Sequence, residues 1–232
     1  MKNSITCKNC SSENPFYALN CSNCKAYLRE RIYNIDFWSV SMSLFDSPTD
    51  AFEKIIHSEH KNFILVIILL TAIKFFILSI FLQTYITGDK LSFTSLFTQI
   101  LVFVFFFYVL LIAFSLLFTF LNSLFKLNTR FRDNFSISVY SLIPYIVGLI
   151  LIFPVELVVF GQYLFSINPG PFQLKPAPAY MLLAIEGIIT LWAVLLNGIA
   201  IFTQTRNKIY SVVMDMIFYG FIFGYLYFFW KI

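Results

Sequence analysis

The chain changes character once. About sixty polar, broken residues come first, and an almost continuous apolar stretch follows. Five runs in that stretch predict membrane-crossing helices: residues 63–85, 96–121, 137–160, 180–202 and 210–229. At a rise of about 1.5 Å per residue, each reaches across a hydrocarbon core of roughly 30 Å. A lipid-exposed backbone must satisfy its own hydrogen bonds, so these runs predict helices despite their strand-favouring Phe, Ile and Val. Thr87-Gly88-Asp89-Lys90 predicts a break between the first two spans. Residues 166–179, with Pro169, Gly170, Pro171, Pro176 and Pro178, predict the longest external loop. The third run contains Pro144 and Pro154. It reads either as a kinked helix or as one that breaks at Pro154 and re-enters.

Ahead of the first span, Ser47-Pro48-Thr49-Asp50-Ala51-Phe52-Glu53 has the marks of a helix start. Ser47 can cap, Pro48 suits the first helical position, and Asp50 and Glu53 favour the positive end. Phe52, Ile55 and Ile56 share a short apolar face. The helix reads either as lying in the headgroup layer or as an extension of the first span.

Composition narrows the class. Hydrophobic residues make up 59% of the 232 positions and charged residues 12%, against roughly 25% charged in a soluble domain. Residues 91–125 hold no charge. Soluble, disordered and collagen-like classes are excluded, and the first apolar run starts too far in for a secretory signal.

The net charge of +4 matters through its placement. With the N-terminus inside, Lys2, Lys8, Lys25, Arg29, Arg31, Lys54, Lys61, Lys126, Arg130, Arg132, Arg206 and Lys208 all lie inside. Lys90, Lys175 and Lys231 lie outside. The excess predicts a cytosolic N-terminus and an external C-terminus, in a bacterial plasma membrane.

All four cysteines precede the spans, as Cys7-x2-Cys10-x10-Cys21-x2-Cys24. Each pair can form a tight turn that aims two sulfurs at one point, and two such turns enclose a tetrahedral metal. In a reducing compartment this predicts one structural zinc ion, and the competing reading is two disulfides. So short a segment cannot bury enough apolar surface to fold alone, so metal binding supplies its folding free energy. The predicted class is therefore all-α integral membrane, with five transmembrane helices preceded by a small four-cysteine zinc ribbon. The ribbon spans 1–28, a cytosolic linker with a short amphipathic helix 29–62, and the membrane domain 63–232. His57 and His60 sit three apart and read either as a metal pair or as solvated side chains.

Four ionisable residues fall within the spans: Lys74, Glu156, Glu186 and Asp215. A charge at the bilayer centre costs about 2.5–3.5 kcal/mol and so requires a partner or water. Glu156 or Glu186 is the expected partner of Lys74, and Asp215 is expected to reach water or Lys208. The three deeper residues form a candidate intramembrane polar site. It reads as a path for a proton, ion or solute, or as a buried pair that fixes helix register. Gly220-x3-Gly224 would admit a second helix closely, for internal packing or for a homo-oligomer.

Residues 7–28 resemble small bacterial zinc ribbons found ahead of membrane domains, keeping Asn14-Pro15 and Phe16-Tyr17 between the knuckles. Ser11 and Lys25 stand where such ribbons usually carry Gly. From Leu44 to Phe229 the chain resembles the Yip-one domain family of five-span membrane proteins. The carriers are Ser47-Pro48-x3-Phe52, Tyr140-Ser141-Leu142-Ile143-Pro144, Leu191-Trp192 and Arg206-Asn207-Lys208. The resemblance implies a cytosolic N-terminus. Eukaryotic members act in vesicle traffic and engage prenylated Rab GTPases, but the Asp-Leu-Tyr-Gly-Pro motif of some of them is absent here.

No His-Glu-x2-His, Gly-x-Ser-x-Gly or Gly-rich phosphate loop is present, so no enzyme is predicted. The expected function is a non-enzymatic, trafficking-type membrane organiser whose ribbon binds a cytosolic protein. The alternative is a permease-like transporter using Lys74, Glu156 and Glu186. The expected partners are the lipid bilayer and that cytosolic protein, with anionic lipid favoured over nucleic acid for the basic ribbon.

Overall fold

A computed structural model describes residues 3–86, 96–166 and 168–229. Three short strands open the chain: β1 (Ser4–Thr6), β2 (Glu13–Pro15) and β3 (Ile32–Asn34). Helices α1 (Phe37–Asp46) and α2 (Pro48–His57), strand β4 (Ser58–His60) and helix α3 (Ile64–Ile86) follow. Next come α4 (Leu96–Leu124), α5 (Phe131–Tyr140), α6 (Ile143–Phe160), a 3-10 turn (Gly161–Phe165) and α7 (Pro171–Leu174). The chain ends with α8 (Pro176–Thr205) and α9 (Lys208–Phe229). Five helical segments are long and apolar enough to cross a membrane: Ile64–Leu82, Phe97–Leu124, Phe131–Phe165, Pro176–Thr205 and Lys208–Phe229.

Packing divides the chain into two compact units. The first contains Met1–Ile64, Leu111–Ser141 and Leu195–Tyr219. Here β1 and β2 pair antiparallel, Ser4 opposite Pro15, while β3 and β4 pair in parallel, Ile32 opposite Ser58. Asp36 caps α1 by accepting from the backbone N–H of Trp38 at 3.1 Å and of Ser39 at 3.4 Å. Pro48 takes the first turn of α2, but the Ser47 side chain makes no capping bond.

Two expectations for α2 are overturned. The helix ends at His57 and β4 intervenes, so it does not extend the first span. Its apolar stripe does not lie in headgroups either. Phe52, Ile55 and Ile56 are fully buried, and α2 packs against α1 and α5. Burying three such side chains in protein gains about 1.5–3 kcal/mol each over leaving them in water, which gives the stripe its partner. Tyr140 ties α5 to the same region, its hydroxyl donating to the Asn62 carbonyl at 2.7 Å.

The second unit contains Leu65–Leu110, Leu142–Val194 and Gly220–Ile232. Aromatic rings fill it. Phe75 meets Tyr145 at 4.4 Å between centroids, and Phe103 meets Tyr225 at 5.0 Å and Phe229 at 4.8 Å. A further cluster gathers Phe81, Phe160, Leu164, Ala179 and Leu182.

The third span contains a break that neither sequence reading placed. Its helix is interrupted at Ser141–Leu142, and Pro144 falls in the first turn of α6, where its missing N–H costs no bond. Pro154 lies inside α6, which continues to Phe160, so the chain does not re-enter there. The fourth span also starts earlier than expected. Pro176 opens α8 and Pro178 lies in its first turn, both tolerated for the same reason. The break expected at 87–90 lies outside the described residues. A Cβ at Gly220 or Gly224 would meet nothing within 4 Å, so neither glycine serves a close internal approach among the described residues.

Candidate metal centre and buried polar clusters

The two knuckles are built alike. The Ser11 N–H donates to the Cys7 carbonyl at 2.9 Å, and the Lys25 N–H donates to the Cys21 carbonyl at 3.1 Å. Ser11 (φ 57°) and Lys25 (φ 62°) are left-handed, a conformation that costs a non-glycine residue about 1–2 kcal/mol. The strain lets each turn fold both of its sulfurs inward. All four Sγ atoms lie within 4.8 Å of one another, with Cys7 3.6 Å from Cys24 and Cys10 3.5 Å from Cys21. These separations exceed the roughly 2.05 Å of a disulfide, and all four cysteines are free. A tetrahedral thiolate cage with bonds of about 2.3 Å has edges near 3.8 Å. The four sulfurs could therefore hold one metal ion.

The surroundings favour the thiolate at Cys10 and Cys21, while burial and neighbouring thiols push Cys7 up. The Ser12 hydroxyl lies 3.0 Å from both Cys10 Sγ and Cys21 Sγ. Its hydrogen bond lowers the Cys10 thiol and, with backbone N–H groups, brings Cys21 down to about 5. Asn14 braces the second knuckle. Its Nδ2 lies 3.5 Å from Cys21 Sγ, and its Oδ1 accepts from the Ser22 N–H at 2.8 Å.

The ribbon does not stand free of its unit. Asn3 donates to the backbone carbonyl of Gln204 at the end of α8. Phe16 packs against the His57 ring at 4.9 Å, and its carbonyl lies 3.2 Å from His57 Nε2. Arg206 stacks over Phe16 and pairs with Glu53 at 2.5 Å. Arg130 covers the Tyr17 ring at 4.2 Å.

Beneath these contacts lies a network that sequence reading did not anticipate. Gln204 donates to Asn134 Oδ1 at 3.1 Å, and Asn134 donates to Thr119 at 2.9 Å and to Thr129 at 3.1 Å. Asn122 donates to Thr129 at 3.0 Å and accepts from the Tyr210 hydroxyl at 2.8 Å. Beside it, buried Asp133 is paired by Lys61 at 3.1 Å and by Arg130 at 2.7 Å. Lys61 also donates to the Ile56 carbonyl at 3.0 Å. Burial pushes its ammonium down to about 8 against the pull of Asp133. In sequence, Lys61 and Arg130 read only as inside charges, and nothing local marks Asp133.

Other expectations resolve plainly. His57 and His60 belong to no metal cluster among the described residues. Burial, helped by Arg29 and Lys61, pushes His57 down to about 4. Asp215 accepts from Asn197 at 2.7 Å, and Asn197 accepts from the Ser141 hydroxyl at 3.1 Å. It thus finds a neutral donor rather than Lys208.

In the second unit, α3, α6 and α8 bring Lys74, Glu156 and Glu186 together, all at most 2% exposed. Lys74 Nζ lies 2.5 Å from Glu186 Oε1 and 3.7 Å from Glu156 Oε2. Gly148 leaves room for the lysine stem, since a Cβ there would lie 3.4 Å from Lys74 Cε and 3.0 Å from Ile189 Cδ1. The cluster holds one carboxylate more than it has cations.

Neither a curated protein nor a solved structure matches the chain. The Yip1 domain does, over residues 42–230, a range that takes in all five candidate spans and leaves the cysteine cluster outside. On that match the chain belongs to the Yip1 domain family and is a multi-pass integral membrane protein.

Proposed function

We propose that the protein is a non-enzymatic membrane organiser whose ribbon, held by one structural zinc ion, presents a fixed binding face to a cytosolic protein. The observation that carries this reading is the docking of the ribbon onto the ends of α5 and α8 through Asn3, Phe16 and Tyr17. A binding module locked to its anchor passes position and force between a soluble partner and the spans. A module on a slack tether would pass neither.

Cys7, Cys10, Cys21 and Cys24 would hold the zinc, which supplies folding free energy and, with four protein ligands, leaves no position for a substrate. The family is generally non-enzymatic, in agreement with the missing catalytic motifs. The lysine and arginine distribution supports a cytosolic N-terminus and an external C-terminus.

The binding face is the groove of about 640 Å³ lined by Thr6, Lys8, Tyr27, Leu28 and Arg31. Tyr27, 75% exposed, stands on its wall. Photocrosslinking from position 27 in intact membranes tests the reading. A discrete soluble protein should be captured, and capture should fall on Lys8→Glu with zinc content unchanged. Capture that is absent, or indifferent to Lys8→Glu, would contradict it.

A permease-like reading draws on the surplus carboxylate in the Lys74 cluster. It requires that Glu156→Gln abolish ion flux in proteoliposomes, and a silent wild type removes it.

A further inference from the structure

A cavity of about 310 Å³ opens in the first unit between the ribbon, β4 and the start of α5. Its walls include Tyr17, Arg29, His57, Glu59, Arg130 and Arg132. Three guanidinium groups at one cavity, with Lys61 behind them, make an unusual concentration of positive charge.

The neighbouring carboxylates do not cancel it. Glu59 is engaged by Arg31 through two bonds, at 2.7 and 3.1 Å. Asp133 is shared between Lys61 and Arg130. Five cations thus meet two carboxylates, both already committed. Arg132 is exposed, and its guanidinium has no hydrogen bond or ion pair among the described residues. The two terminal nitrogens of Arg29 donate to the Tyr17 and Glu30 carbonyls, each at 3.1 Å, while its Nε–H is buried without an acceptor among the described residues. An unsatisfied buried donor on a charged group is costly. The field is felt locally. Arg29 is lowered by burial and by Arg130, and Lys61 by burial and then by Arg130 and Arg132.

We infer that this cavity is an anion site that takes a phosphate group, on a lipid headgroup or free in solution. Planar guanidinium forks match phosphate oxygens two at a time. The volume stands at the lower end of ligand cavities and suits a phosphate with part of its substituent. The walls join ribbon to α5, so an anion bound there bridges the docked module and the spans. The site does not depend on the ribbon having a protein partner.

Arg132→Gln is the clean probe, because its guanidinium holds nothing else in place. Calorimetric titration of the metal-loaded full chain in zwitterionic detergent would use two ligands in separate arms: inorganic phosphate, and short-chain phosphatidic acid. Phosphatidylcholine of the same chain length is the control. At least one phosphate ligand should bind where phosphatidylcholine does not. Arg132→Gln and Arg29→Gln should each weaken it by about tenfold, while Lys175→Gln leaves it unchanged. Binding of phosphate alone assigns a soluble ligand, and binding of phosphatidic acid alone assigns a lipid. Binding of neither, or equal binding to wild type and Arg132→Gln, would overturn the site.

Discussion

Each unit buries an ion pair, Lys61 with Asp133 in the first and Lys74 with Glu186 in the second, but the polar groups around it differ. The first strings amides and hydroxyls into a chain that runs from Asn3 through Gln204, Asn134, Thr129 and Asn122 to Tyr210. The second isolates one ammonium between two carboxylates amid aromatic packing. Most links of the first network are neutral and worth about 0.5–1.5 kcal/mol each, so its strength lies in number and reach. The second is concentrated, and its desolvated charges depend on one another. A distributed network suits an interface that joins distant segments of chain, here the ribbon and the span ends. A compact charge cluster suits the fixing of three helices at one level.

The largest contrast should come from Lys74→Met. Removing the ammonium strands two buried carboxylates and should cost about 3–5 kcal/mol in reversible unfolding. Neutralising the whole cluster, with Glu156→Gln and Glu186→Gln added, should restore much of that loss. If the single and triple variants unfold alike, the cluster does not work through paired charge.

Asn134→Leu should cost less, about 1–3 kcal/mol, because it leaves Gln204, Thr119 and Thr129 short of partners while the flanking bonds persist. Hydrogen exchange should rise at the α8 end and in the ribbon. An effect confined to α5 would show that the network does not reach that far.

The spans and the cysteine site were legible because each carries its signal locally, in an unbroken apolar run or in a fixed spacing. The docking of the ribbon was not. Asn3 and Gln204 are 201 positions apart, and an amide near a helix end looks in sequence like any solvated residue. Lys61 was counted for its charge, whereas its burial against Asp133 depends on a fold that brings β4 beside α5. The apolar face of α2 was visible, but nothing local says whether lipid or protein covers it. The break lies at Ser141 and not at Pro154, since Pro144 opens a helix more readily than it bends one and Pro154 is carried within α6.

A smaller effect should appear with pH. His57 is neutral when folded, down to about pH 4, but titrates near 6.5 when unfolded. Between these values the unfolded chain binds more protons, so stability falls as pH drops from 6.5 toward 4. From pH 7.5 to 5.5 this group should contribute roughly 1 kcal/mol of loss. His57→Phe, which keeps a ring against Phe16, should flatten the profile by that amount relative to wild type. An identical slope in both proteins would contradict the burial of this imidazole.

The central claim is that a metal-built ribbon is fixed to the ends of the spans. Hydrogen–deuterium exchange of the full chain in a lipid nanodisc, with and without a chelator, tests it most directly. Stripping the metal should deprotect residues 3–28 and, with them, the α2–β4 junction and the 203–207 turn that the ribbon covers. Deprotection that stops at residue 28, or no change on chelation, would contradict the account.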